Sequence, residues 1–264
     1  MKMRKSTHLW REEDHPRDDW GRFCKSNRLY DDRPIDKMEK VGIMTGEAEI
    51  LQIIGLKSEY IEDLRNKYAQ GMELAKKLFE KYVRATSIGD CSYAGKSHFS
   101  PRDNKIYINI ELDSKNERGA WTTFFHEYGH YIDFACVDFK NYKSLSTNAV
   151  AFSDALRTDF ISYVNGVKVK NKIKAQEHLK YKIYMDLCDV SHHAISDIIG
   201  GCSGNVFKGK WGHKKSYWNT PMALEREAFA HMFEAMFDVN KYEVMEKYFP
   251  LALNEFNNML GELI

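Results

Sequence analysis

The chain has 264 residues, enough to bury a sizeable core in one domain or two. Its 39 basic and 38 acidic residues leave a net charge of +1, so it has neither the basic stripe nucleic acid requires nor an acidic solvating tail. Five scattered cysteines with no Cys-x-x-Cys pair read as reduced intracellular thiols, and no apolar run approaches the ~18 residues of a membrane span. The amino terminus, basic and then polar from Ser6, lacks the apolar core of a signal peptide. The expectation is a chain with neither nucleic acid nor membrane as a partner.

Residues 1–40 are dense in charge, with aromatics at no regular period, and read as a polar arm or linker ahead of a domain over 41–264. Glu47–Ile54 reads as a short amphipathic helix. A longer one begins at Ser58 and runs to about Arg84, with Ile61, Leu64, Tyr68, Met72 and Leu78 on its apolar stripe. The period then changes to two over Lys105–Ile110, with Ile106, Ile108 and Ile110 on one face, which predicts a strand. The turn-forming Ser100–Asn104 before it allows Ser92–Phe99 to pair with it as a hairpin. A strand placed just ahead of a metal helix can offer a free edge to an extended peptide.

Ser114 and Glu117 have the spacing of a capping box, which predicts a helix start near Lys115. That helix carries His126-Glu127-x-x-His130, the zinc-hydrolase spacing. Residues four apart share a helix face, so both imidazoles reach one ion while Glu127 leans over the same place. At ~100° per residue, Thr122, Thr123, His126, His130 and Asp133 form a polar face, opposite a core face of Trp121, Phe124, Phe125, Tyr128 and Ile132. Cys136, just past this helix, and Cys188 read as small buried hydrophobes.

Further helices are expected over about 148–164, 173–188 and 191–199, with a break at Gly200–Gly204. His192 and His193 read as surface or capping residues, and His98 and His178 as structural or solvated ones. The long aromatic stretch Asn205–Asn219, with Trp211, His213 and Tyr217, suggests a cleft wall or lid. Thr220–Pro221 is a helix start, with the helix running to about Asp238. Phe229, Met232, Phe233 and Phe237 make its core stripe, and Glu227, His231, Glu234 and Asp238 its polar one. Helices over 242–248 and 250–263 finish the chain.

Catalytic zinc takes three protein ligands and leaves a position for water, so two histidines are not enough. No third His follows at the metzincin spacing, where Asp133 also replaces the glycine of that pattern. The remaining donors are Glu227 and His231, one turn apart on the later polar stripe.

The stretch Glu225–Ala235 resembles the Glu-x-Phe-Ala-x-x-Phe helix of lethal-factor-like zincins, and His126–Asp133 is similar to their metal helix. The resemblance implies a zincin-like α+β fold, mainly helical, with a small antiparallel sheet or hairpin before the active-site helix and a helical C-terminal part. It implies a single Zn2+ per chain held by His126, His130 and Glu227, with Asp133 behind the ligands. It also implies a Tyr that steadies the oxyanion, for which Tyr217 is the nearest match; His213 is an alternative. The family has Glu where this chain has His231, which keeps His231 in view as an alternative ligand.

Trp10–Phe23 resembles a leader of phage minor head, or head-morphogenesis, proteins, and Ser196–Gly200 and Trp211–Trp218 are similar to segments of the same group. The expected function is therefore a zinc endopeptidase of phage or prophage origin, with Glu127 as general base. Its expected partners are a protein or peptide substrate and phage capsid or portal proteins. It is expected in the cytoplasm of the bacterial host or on the virion. Two alternatives are a non-catalytic zinc-binding virion or head-assembly component, and a hydrolase of non-peptide amides such as cell-wall material.

Overall fold

The computed structural model describes residues 58–91, 96–139, 141–145, 149–169 and 174–264. The expected arm and the expected helix Glu47–Ile54 lie outside them, as does the segment similar to the head-protein leader. Among the described residues helices dominate, with one three-stranded sheet, and none of those helices is long and apolar enough to cross a membrane.

The first long helix does not run unbroken to Arg84. It divides into α1 (Ser58–Ala69) and α2 (Glu73–Tyr82). The break has a packing cause, because a Cβ on Gly71 would come within 2.5 Å of the Phe237 ring. Next to it, the Met72 N–H leaves the helical ladder and donates to Met236 O at 2.9 Å. Met72 is therefore exposed rather than part of the apolar stripe, whereas Leu64, Tyr68 and Leu78 are buried.

The sheet has the order β1 (Ser87–Asp90), β3 (Lys105–Ile108), β2 (His98–Ser100). Strand β3 is the alternating segment, and Ile106 and Ile108 are buried. It ends early because the Asn109 side chain accepts from Leu112 N–H at 3.1 Å, so Ile110 opens α3 (Ile110–Ser114) instead of extending the strand. The expected hairpin forms between β2 and β3, with Ser100 opposite Lys105. Strand β1 has no alternating pattern to reveal it. It pairs parallel with β3 on the other side, so the sheet is mixed rather than purely antiparallel. As a result β3 has no free edge, and β2 is an outer strand.

The metal helix, α4 (Thr122–Ala135), starts well after Lys115. Ser114 closes α3 instead of capping α4. The cap is Asp113, whose carboxylate oxygens accept from Thr123 N–H at 2.9 Å and Phe124 N–H at 2.7 Å. A carboxylate there satisfies two free donors and meets the positive end of the helix dipole. Trp121, at φ 62°, turns the chain into the helix.

Then follow α5 (Ala149–Gly166), α6 (Ala175–Leu187) and α7 (His193–Ser203). Gly200 and Gly201 do not break α7, which ends at Gly204 in the left-handed region. Gly201 serves packing, since a Cβ there would lie 2.8 Å from Leu224. Helix α8 (Ala223–Ala235) opens later than Thr220, because Met222 at φ 60° turns the chain first. Helices α9 (Val239–Tyr248) and α10 (Pro250–Gly261) close the described chain.

The core lies between α4 and α8. Trp121, Phe124, Phe125, Tyr128 and Ile132 are buried from one helix, and Phe229, Met232, Phe233 and Phe237 from the other or its end. Phe125 stacks on Phe237 with centroids 3.9 Å apart. Cys136 and Cys188 are only half-buried, against expectation. At the crossing, Gly129 has no room for a side chain, since a Cβ would sit 2.8 Å from Ala230 Cα and 3.0 Å from Ala230 O.

Gly129→Ala should therefore force the two helices apart despite the better helix propensity of alanine. The expected cost is about 1–3 kcal/mol of stability, read by urea denaturation, with a parallel loss of metal affinity.

Candidate metal centre

The α4–α8 crossing brings His126, His130 and Glu227 together. His126 Nε2 lies 3.3 Å from Glu227 Oε2, and His130 Nε2 lies 3.5 Å from Glu227 Oε1. The two imidazoles stand edge to face at 85°, with centroids 4.8 Å apart. Ligand atoms of the three residues all lie within 4.8 Å of one another, close enough to share one ion. The donor set fits a metal, because Glu227, facing both histidines, has its Oε2 buried without a hydrogen-bond partner. Buried polar atoms are rarely left so, and a cation between the ligands supplies what Glu227 lacks.

Two overlapping groups also have metal-competent spacing, His126 with His231 and Glu234, and Asp197 with Glu227 and His231. Their charges are already matched by protein groups. Lys241 Nζ donates to Glu234 Oε1 at 2.8 Å, and His213 meets Asp197 through both its backbone N–H and Nδ1, each at 2.7 Å. His231 is spent between these carboxylates, 3.3 Å from Asp197 Oδ2 and 3.3 Å from Glu234 Oε2. Glu227, by contrast, faces both histidines of the motif.

Behind the ligands is a buried polar layer. His126 Nδ1 points at Glu234 Oε2 at 3.6 Å, and the other oxygen of Glu234 meets His193 Nε2 at 3.0 Å. Lys241 also donates to Thr122 Oγ1 at 2.6 Å, tying α9 to the start of α4. Burial works against the Glu234 charge, but Lys241 and His193 hold its carboxyl well below the usual range. His193, expected at the surface, is almost wholly buried because it serves this carboxylate. Burial opposes the Asp197 charge as well, and His213 and His231 still hold that carboxyl below its ordinary value.

Asp133 is fully buried, with its oxygens accepting from Ser144 N–H at 2.6 Å and Ser144 Oγ at 2.7 Å. It anchors the turn over residues 143–145 to the metal helix and forms no ion pair with either histidine ligand. Burial pushes its carboxyl up to about 7.

The ligands open onto a cleft of about 290 Å³ lined also by Glu127, Phe99, His213, Tyr217 and Arg226. Glu127 Oε2 accepts from Phe99 N–H on β2 at 2.8 Å. The Tyr217 hydroxyl donates to Glu227 Oε1, and its ring stacks on His213 with centroids 3.9 Å apart. Burial and the Glu227 charge both raise the Tyr217 phenol, which keeps its proton. The aromatic stretch is thus a cleft wall, held closed by Gly212 at φ +111°, where a Cβ would meet Asp197 Oδ1 at 2.6 Å. His98 stands exposed at the rim, stacked on Tyr107.

Sequence reasoning singled out His126, His130, Glu227 and Glu127, which the fold brings to one cleft, but assigned no role to Asp197, Glu234, Lys241 or Arg226. The one signal for Glu234 was its place on the same stripe as Glu227, two turns on, where Glu227, His231 and Glu234 are all buried. Compared with protein-family models, curated proteins and solved structures, the chain finds no match.

Two outcomes are expected. Burial pulls the proton off His126, but Glu227 and Glu234 together hold it on up to about 10. Zinc binding at neutral pH should therefore release a proton, and affinity should rise with pH by up to about tenfold per unit, measured by competition with a chromophoric chelator. Glu234→Gln should weaken zinc affinity by about 10–100-fold without removing a ligand, read in the same assay.

Proposed function

We propose that this chain is a zinc-dependent endopeptidase of zincin-like fold. The observation that carries the reading is the convergence of His126, His130 and the unpartnered Glu227 oxygen on one point, in the same cleft as Glu127. Zinc is the ion that suits two imidazoles and a carboxylate; when bound it lowers the pKa of a water to about 7 and polarises a carbonyl.

The chain's own residues perform the rest. Glu127 takes the proton of the attacking water and delivers it to the leaving amine. Phe99 N–H holds one oxygen of that carboxylate and so orients it. Tyr217, kept protonated, would shift its single hydrogen bond from Glu227 to the oxygen on which charge develops. His213, fixed by Asp197 and stacked on Tyr217, is a second donor on the same wall. Origin in a phage or prophage, and capsid or portal proteins as partners, rest on the resemblance of the leader and of the segments before α8.

Elemental analysis should find a single zinc in the wild type, lost or much weakened in His126→Ala and Glu227→Ala. Glu127→Gln should keep the zinc and lose peptide hydrolysis by about 10²–10⁴-fold. Zinc retained with no hydrolysis of unfolded protein by the wild type would replace this reading with that of a zinc-stapled assembly component. Cleavage of peptidoglycan alone would reassign the substrate.

A further inference from the structure

Arg226 precedes the ligand Glu227 on α8 and lines the cleft. Its guanidinium lies over the Tyr142 ring, 5.0 Å from the centroid, and Tyr142 is itself buried and packed on Phe134. The Tyr142 ring holds the guanidinium at the cleft wall, and its N–H groups call for a planar acceptor. No such partner is present among the described residues. Arg226 Nε is buried without an acceptor, and among the described residues no carboxylate forms an ion pair with the side chain. Asp133 feels its charge, but both oxygens of Asp133 are taken by Ser144.

The charges of the cleft lead to the same place. Glu127 and Glu227 together balance a divalent ion, and histidines that bind a metal are neutral. Among the described residues of the cleft lining, Arg226 is then the fixed charge with no ion-pair partner, since Asp133 lies near enough to feel it without pairing. A buried guanidinium donor with no acceptor is costly, and a bidentate carboxylate is the group that matches it best.

We infer that Arg226 receives a carboxylate of the substrate, so that cleavage is directed to bonds with an anionic group nearby. This rests on the peptidase reading and gives it a substrate class. The carboxylate has two sources, an Asp or Glu side chain within a chain or the free carboxyl terminus of one.

Two sets of matched peptides test it on the full-length, zinc-loaded protein. In one set Asp replaces Asn at each position flanking the cleaved bond; in the other a free carboxyl terminus replaces an amide. The expected result is a preference for the carboxylate member of roughly tenfold to a hundredfold in kcat/KM. The set that shows it names the source. Arg226→Gln should bring the ratio close to one and Arg226→Lys should keep part of it, both with wild-type zinc content. A ratio near one in the wild type, or an unchanged ratio in Arg226→Gln, would overturn the inference while leaving the peptidase reading intact. If the wild type loads zinc but cleaves nothing, the peptidase reading fails by itself. Calorimetric Kd values of the same pairs on Glu127→Gln then decide for Arg226, with a preference lost in the double variant upholding it and equal affinities overturning it.

Discussion

The contact on which the site depends is the close approach of two helix backbones at Gly129 and Ala230. With no side chain between them, α4 and α8 cross so closely that His126 and His130, on either side of Gly129, face Glu227, which lies one turn before Ala230. The aromatic layer fixes the rotation of each helix about that contact. Phe125 on Phe237 and Tyr128 on Phe233 keep the core faces together, and the ligand faces are turned toward the cleft as a result.

The second element of the design is charge placed out of water. Glu234, Asp197, His193 and Lys241 are all buried, and each meets a partner of suitable sign or hydrogen-bonding capacity. Such a layer is poor evidence for stability, because desolvation offsets most of the attraction between its members. It does make the arrangement specific, since removing one partner of a buried pair typically costs about 3–5 kcal/mol. The imidazole of His126 is therefore aimed by a carboxylate that is itself held by α9.

The metal helix, its two faces and the core stripe of α8 were legible in the sequence because each repeats at helical period. His126, Glu127 and His130 share one cleft as their spacing predicts, because residues at that spacing lie on adjoining parts of one helix face. The start of α4 was not. Ser114 and Glu117 have the spacing of a cap, but Asp113 reaches the free N–H groups after an intervening loop that no local pattern encodes. Strand β1 was missed for a similar reason, since four residues of mixed polarity become a strand only when β3 lies beside them. The polar stripe of α8 carried no sign of its burial because a buried acidic residue and a surface one are identical in sequence. Only the tertiary partners, Lys241 for Glu234 and the motif histidines for Glu227, tell them apart.

The hydrogen bond from Phe99 N–H to Glu127 joins two functions that are usually separate. Strand β2 borders the cleft, so any movement that widens the entrance by peeling this strand from β3 would also remove the donor that holds the Glu127 carboxylate. On the peptidase reading, access and reactivity would thus be governed by one backbone amide. An open cleft would hold its carboxylate loosely, and a closed one would hold it ready.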